Sequence, residues 1–318
     1  MSAAQLHAAT AVAPQAGDVL SIENLRVSYG SRFNAVPAVR NATFSVARDE
    51  VFGLVGESGS GKSTLSMAIL RLLPAQAHCE ADRMRLGDTD LMAAGPAALR
   101  QLRWTRLSYI PQGSMGVLNP VMRVREQFLD TIADHTQGAQ RREIEGRIET
   151  VLAGVNLRPA VLDQFPHELS GGMKQRVCIA LAILLEPELI IADEPTSALD
   201  VVSQRQVLET LSSARRRIGA SMIMIGHDMA LQAQLADRIG IMFAGRFVEI
   251  GPTRAIFEAP RHPYTQRLIG AIPSIRRRQD IGELARRGLE HADGATASAH
   301  PDLPLREVSA GHFAAIEL

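Results

Sequence analysis

The run Gly56-Glu57-Ser58-Gly59-Ser60-Gly61-Lys62-Ser63-Thr64 fits the pattern G-x-x-x-x-G-K-[ST], whose chemistry is the cradling of a phosphate chain. Glycines let the backbone close around phosphate oxygens, Lys62 would neutralise the β- and γ-phosphates, and the Ser63 hydroxyl would sit on Mg²⁺. A second glycine-rich turn, Leu169-Ser170-Gly171-Gly172-Met173-Lys174-Gln175-Arg176, lies far downstream. It too is suited to an anion, because a turn of this kind opens a helix whose first N–H groups are unpaired. Two further sites follow apolar runs: Asp193 and Glu194 after Leu189 to Ala192, and Gly226 and His227 after Met222 to Ile225. The C-terminal ends of parallel strands are where α/β sheets place ligands.

Those residues need elements to hold them. Val51 to Val55 is a short apolar run that predicts a buried parallel strand, and Leu65, Ile69, Leu72 and Leu73 recur at helical spacing until Pro74. Strand, glycine loop and helix in that order are what a phosphate cradle requires. Val19 to Tyr29 and Val39 to Val46 alternate apolar with polar residues, as antiparallel strands with one solvated face do. From Pro96 to about Glu168 the spacing predicts a helical insertion, with Ile144, Ile148, Val151, Leu152 and Val155 on one face. Ile239 to Phe243 and Arg246 to Ile250, joined through Ala244-Gly245, predict a hairpin. From about Gly251 the chain continues as a Pro- and Arg-containing appendix, with a loop expected over Gly288 to Pro304.

With 318 residues, 46% of them hydrophobic, the chain can bury a sizeable core. Its 34 basic and 34 acidic residues balance, so no whole-chain field favours nucleic acid or anionic lipid. The basic runs Arg215 to Arg217 and Arg276 to Arg278 suit solvated helix faces. Cys79 and Cys178 stand far apart, without C-x-x-C or a histidine cluster, which fits two free thiols in a reducing compartment and no structural zinc. The most apolar stretch, Val177 to Leu185, is far shorter than the roughly 20 residues a membrane span needs. Residues 1–17, rich in Ala and Gln, resemble a disordered tail rather than a signal peptide.

Taken in order, the motifs resemble the nucleotide-binding subunit of ABC transporters over about Val19 to Ser274. The resemblance implies an α/β fold: a P-loop NTPase (RecA-like) core with an antiparallel β subdomain and a helical insertion. It places an ATPase domain at 18–273, with its helical subdomain at about 96–168, and a C-terminal extension at 274–318. It implies that Asp193 holds Mg²⁺ through water, together with Ser63 and Gln112, and that Glu194 polarises the attacking water, which needs an ionised carboxylate beside the γ-phosphate. Gln112, after Tyr109-Ile110-Pro111, matches the glutamine that reaches metal and water while its loop contacts the permease. His227 resembles the switch histidine at the γ-phosphate. Tyr29 is the expected adenine-stacking aromatic, with Phe33 competing. Ser170, Gly171 and Gly172, with Asp200 near the seam, would complete the ATP site of a second cassette facing this one head to tail.

Ser114 to Pro120, Phe165 to Leu169, and Pro260-Arg261-His262-Pro263-Tyr264-Thr265 followed by Ala271-Ile272-Pro273 narrow the resemblance to the ATPases of dipeptide, oligopeptide and nickel importers. That group implies a homologous second ATPase (or a second copy), two transmembrane permease subunits, an extracytoplasmic binding protein, and a peripheral place on the cytoplasmic face of the inner membrane. Many of its members carry a cysteine-rich C-terminal segment associated with an iron–sulfur cluster. Leu305 to Phe313 resembles the close of that segment, but no cysteine follows Cys178, so no cluster is expected and the appendix would be mobile or dock on the partner ATPase. A soluble ABC ATPase is the alternative; relatives of that kind usually carry paired cassettes or a long coiled coil, which this chain lacks. The importer-type tail argues against an exporter, and a P-loop kinase or GTPase would leave Leu169 to Arg176 unexplained.

Overall fold

The computed structural model describes residues 17–30, 34–113, 116–135, 141–197, 199–272 and 303–316. Two strands open the chain, β1 (Leu20–Tyr29) and β2 (Val36–Val46), paired antiparallel as their alternation predicts. Then come β3 (Val51–Val55), α1 (Lys62–Ile69), and the short strands β4 (Ala77–Glu80), β5 (Arg83–Leu86) and β6 (Thr89–Asp90). β4 and β5 pair antiparallel with β1, and β6 with β5, completing a five-stranded antiparallel sheet. The middle of the chain holds α2 (Pro96–Thr105), β7 (Leu107–Ile110), α3 (Val124–Ala133), α4 (Arg141–Gly154) and α5 (Gly171–Ile183). It continues through β8 (Leu189–Asp193), α6 (Val201–Ile218), β9 (Ser221–Gly226), α7 (Met229–Leu235), β10 (Arg238–Phe243) and β11 (Arg246–Pro252). Last come α8 (Thr253–Glu258), α9 (Pro263–Gly270), β12 (Arg306–Ser309) and β13 (His312–Ala314).

The second sheet runs β12-β13-β11-β10-β3-β9-β8-β7. Its five strands from β10 to β7 are mutually parallel, and β11, β13 and β12 extend it antiparallel. Side chains alternate across this sheet with period two. Phe52, Leu54, Leu189, Ile191, Ile223 and Ile225 share one buried core with β1, β2 and α1. Val51, Val55, Ile190, Ala192, Met222 and Met224 belong to the other core, with α3 to α6. Both faces are covered, which explains why these strands read as continuous apolar runs.

Three expectations need correction. First, α1 stops at Ile69 rather than running to Pro74, so Leu72 and Leu73 lie outside it, and Leu72 is exposed. Arg71 takes the left-handed conformation (φ 55°), Arg71 N–H donates to Ala68 O and Leu72 N–H to Met67 O, which together close the helix in a Schellman turn. Arg103 donates from Nε and Nη2 to Leu70 O and Arg71 O, satisfying carbonyls that the helix end leaves open. Second, the helical insertion expected from Pro96 is interrupted: Leu107–Ile110 is a strand at the edge of the main sheet, paired parallel with β8. Only the residues after Gly113 build a helical unit, through α3, α4 and the short 3-10 turns Pro159–Asp163 and Pro166–Glu168. Third, Arg306–Ala314 is a hairpin that pairs through β13 with β11 of its own sheet. The tail at 1–16, and Phe33, Ser114, Met115, Ala198, Pro273, Ser274 and Arg276 to Arg278, lie outside the described residues, as does most of the loop expected over Gly288 to Pro304.

Candidate functional site

The phosphate loop leaves β3 at Gly56 and enters α1 at Lys62. Two glycines are required by space. A Cβ on Gly56 would stand 2.2 Å from Met242 O, and one on Gly61, which has φ 103°, would stand 2.4 Å from Ala38 O. The loop is held from outside by Gly245 N–H, which donates to Ser60 O at 3.0 Å, and the β10–β11 turn is in turn tied to β2 through Arg40 N–H to Gly245 O. Ser60 is buried at the base of the loop, while Glu57, Ser58 and Gly59 form an exposed crest. Lys62 is only 7% exposed and donates from Nζ to Gly56 O (2.7 Å), Glu57 O (2.8 Å) and Ser60 Oγ (3.3 Å). Burial lowers its pKa, opposed by the negative charges of Glu194, Asp193 and Glu57. The ammonium therefore lies within electrostatic reach of the two acids at the end of β8.

Asp193 closes β8 on the same face as Leu189 and Ile191, the face that looks toward α1. It is 3% exposed, and burial pushes its carboxyl pKa up; hydrogen bonds from Tyr109 and Ser63 act the other way, as does the charge of Lys62. Tyr109 Oη donates to Asp193 Oδ2 at 3.2 Å. The register explains the contact: Tyr109, on the parallel neighbour β7, pairs with Ile191 of β8, so its side chain points to the same face two residues before Asp193. Glu194 turns out of the strand with a left-handed φ of 45°, its N–H bonded to Ile225 O. That turn aims its carboxylate at two side chains from neighbouring strand ends. Gln112 Nε2 donates to Glu194 Oε2 at 2.8 Å, and His227 Nδ1 lies 2.9 Å from Glu194 Oε1. An ionised carboxylate only accepts, so His227 Nδ1 carries the proton and Nε2 is left facing away from the pair.

The sheet order thus brings Gln112, Asp193, Glu194 and His227 together at the ends of β7, β8 and β9, next to the loop that follows β3. Tyr29 ends β1, half-buried, with its hydroxyl 3.4 Å from Thr64 Oγ1 at the start of α1, which sets its ring beside the same loop. Ser170, Gly171 and Gly172 stand elsewhere, at the N-terminus of α5. Ser170 caps that helix by accepting Met173 N–H at 3.3 Å, and an added Cβ on Gly172 would meet nothing within 4 Å. Asp200 caps α6, accepting from Ser203 N and Ser203 Oγ. Sequence reasoning missed Tyr109 as a site residue, although its place at the end of a strand beside β8 was the signal that could have found it.

The donor set suits a nucleotide triphosphate and a hard cation. Oxygen ligands from Ser63 and Asp193 match a magnesium ion, and the glycine cradle, which a single Cβ would fill, matches a phosphate chain. Among the described residues no helix is long and apolar enough to cross a membrane.

Residues 39–197 match the family model described as ABC transporter, and residues 248–297 the model described as oligopeptide/dipeptide transporter, C-terminal region. The dipeptide transport ATP-binding protein DppD of Bacillus subtilis (strain 168) is 40% identical over 261 residues, 81% of this chain and 77% of that protein. The glutathione import ATP-binding protein GsiA of Escherichia coli (strain K12) is 40% identical over 268 residues, 82% of this chain but 43% of GsiA, so the chain spans less than half of that relative. Among solved structures, the dimeric post-hydrolysis state of the ATP-binding cassette MJ0796, bound to ADP and Pi, superposes with a TM-score of 0.61 and 24% identity, covering 74% of this chain and 99% of that one. At that identity the likeness speaks for the fold alone.

Proposed function

This chain belongs to the ABC transporter ATP-binding family, and from that premise we propose that it is the ATP-hydrolysing, energy-coupling subunit of an importer for di- or oligopeptides or related small solutes. The observation that carries the catalytic part of this reading is the convergence of Gln112 and His227 on the Glu194 carboxylate, one residue beyond the buried Asp193, to which Tyr109 Oη donates.

Each residue has a task that its position allows. The loop Gly56 to Thr64 presents backbone N–H groups and the Lys62 ammonium to the β- and γ-phosphates, and Tyr29 stacks on adenine. Ser63, Asp193 and Gln112 provide oxygen donors for Mg²⁺, which when bound neutralises charge on the phosphate oxygens. Glu194 orients and polarises the attacking water; Gln112 and His227 fix its carboxylate, one on each oxygen. A contact from His227 Nε2 to a γ-phosphate oxygen would need a second ring proton, the imidazolium form, because the phosphate oxygen only accepts.

The signature turn supports a head-to-tail arrangement with a second cassette, homologous or identical. An open glycine at a helix N-terminus suits close approach of a phosphate from outside this chain, and no packing among the described residues demands a glycine at 172. ATP would join the two cassettes and its hydrolysis release them, a two-state element that can drive a permease. Two features support docking of the permease beside Gln112: the segment after it exposes Val117 and Val121, and a cavity of about 360 Å³ lies beneath, lined by Trp104, Tyr109, Leu118, Cys178 and Leu181. The subunit would be peripheral, on the cytoplasmic face of the inner membrane, with the extracytoplasmic binding protein reading the cargo. Purification from membranes tests the assembly. Permease subunits should co-elute with the tagged chain, and ATP-dependent uptake of a peptide should require it; a chain that hydrolyses ATP with no membrane partner would refute the importer reading.

A further inference from the structure

The segment Pro260-Arg261-His262-Pro263-Tyr264-Thr265 has no task in the reaction described above, yet its tyrosine touches the phosphate loop. Tyr264 is 3% exposed, with its ring 4.5 Å from that of Phe243 at the end of β10, and its hydroxyl accepts Glu57 N–H at 3.1 Å. Glu57 follows Gly56, the point where the chain leaves β3, and at Gly56 an added Cβ would stand 2.2 Å from Met242 O of β10. The entrance of the loop is therefore gripped between β10 and α9. Burial pushes the Tyr264 phenol pKa up to about 12, so its hydroxyl stays neutral across the working pH range.

Tyr264 is held in place by a chain of buried contacts. It lies in the first turn of α9, whose N-cap His262 accepts Tyr264 N–H at Nδ1 (3.1 Å). The backbone N–H groups of Arg261 and His262 donate to Glu249 Oε1 (2.8 Å) and Oε2 (2.9 Å). Glu249, on β11, is 0% exposed, and His312 Nε2 of β13 completes its set at 2.7 Å from Oε1. A buried carboxylate deprived of a donor costs the fold heavily, so these contacts stand or fall together. They run without a gap from the C-terminal hairpin through Glu249 and the start of α9 to the loop.

We propose that Tyr264 is a positioning residue for the nucleotide, fixing the entrance of the phosphate loop, and that the C-terminal hairpin sets its position through Glu249. This rests on the ATP-binding reading, and the experiment separates the two. Full-length Tyr264→Phe keeps the ring and loses only the hydroxyl. Titrated with methylanthraniloyl-ATP, it should bind about 3- to 10-fold more weakly than the wild type, the size expected for one hydrogen bond. The Glu57 amide should exchange faster with solvent, and KM for ATP should rise while kcat stays within about twofold, because the hydroxyl bonds the loop backbone, whereas the side chains that hold Glu194 are Gln112 and His227. His312→Leu should weaken binding in the same direction, His312→Gln should restore it, and His312→Leu should add little on top of Tyr264→Phe. Equal affinity of Tyr264→Phe and a nucleotide-binding wild type would overturn the role of Tyr264. Full additivity of the two substitutions would overturn the link to the hairpin. A wild type that binds no nucleotide would overturn the ATPase reading itself, and this proposal with it.

Discussion

The two glycine-rich turns of this chain are built to opposite specifications. Around the phosphate loop the lysine and the acids of the neighbouring strand end are engaged inside the chain: Lys62 is buried and bonded, Asp193 receives Tyr109, and Glu194 is held by Gln112 and His227. At the N-terminus of α5 the signature is a capped helix end with free space above Gly172 and an exposed Ser170. One half is preorganised by its own sheet. The other is open to something from outside, and the difference is what the proposed site shared between two copies or two homologues would demand. Preorganised dipoles and charges do most for a reaction when they need not move; in the proposed mechanism the acids sit on strand ends in the buried sheet, while the completing surface would travel with its partner.

Substitutions on the two sides should therefore fail in different ways. The largest effect is expected from Glu194→Gln, which keeps the geometry but removes the base. Hydrolysis should fall by about 10² to 10⁴-fold while ATP still binds and the closed dimer accumulates; turnover at the wild-type rate would remove Glu194 from its role. Ser170→Arg attacks the other half. It should leave nucleotide binding by the isolated chain unchanged but reduce hydrolysis in the assembled complex by roughly 10²-fold, because the long side chain would fill the space that the partner-bound phosphate chain must enter and displace it from the reacting geometry. An active reconstituted complex would contradict the shared site. Lys62→Ala comes next and is the complementary case, since it should weaken ATP binding in the isolated chain as well as in the complex, by about one to two orders of magnitude, the worth of a hydrogen-bonded charge.

The same contrast explains what could be read from residues alone. Local chemistry was legible: the loop with its strand and helix, the acids after an apolar run, and the Ala244-Gly245 hairpin all have short-range signals. Strand β7 was not, because Leu107-Ser108-Tyr109-Ile110 is too brief to show a period, and what makes it a strand is pairing with β8 some eighty residues away. The end of α1 was missed for a similar reason. Its left-handed cap falls on Arg71, where glycine or asparagine would have marked it. The C-terminal hairpin gave no local hint that β13 would join β11, nor did Tyr264 that its hydroxyl would meet Glu57. The partners of a long-range hydrogen bond are set by topology, which one-dimensional spacing does not carry.

The smallest expected effect concerns Tyr109, whose hydroxyl ties the edge strand to Asp193, the acid proposed to hold Mg²⁺. Burial raises the Asp193 pKa, and the Tyr109 hydroxyl is the largest influence restraining that rise. A carboxyl with a raised pKa holds its proton to higher pH, so the folded state gains relative stability at low pH and loses it as pH climbs through the raised value. Oxygen ligation of Mg²⁺ needs the ionised form, so binding has the opposite dependence and weakens as pH falls through the same window. Tyr109→Phe removes a donor that favours the carboxylate, and the Asp193 pKa should climb further. The acid limb of the ATPase profile should then move to higher pH, with Mg²⁺ requirement increased most on the acid side, while the alkaline limb stays where it was. Raising Mg²⁺ should restore activity at low pH if the loss is one of metal affinity. Superimposable acid limbs for Tyr109→Phe and the wild type would show that the edge strand contributes packing to this half of the site and nothing to its charge.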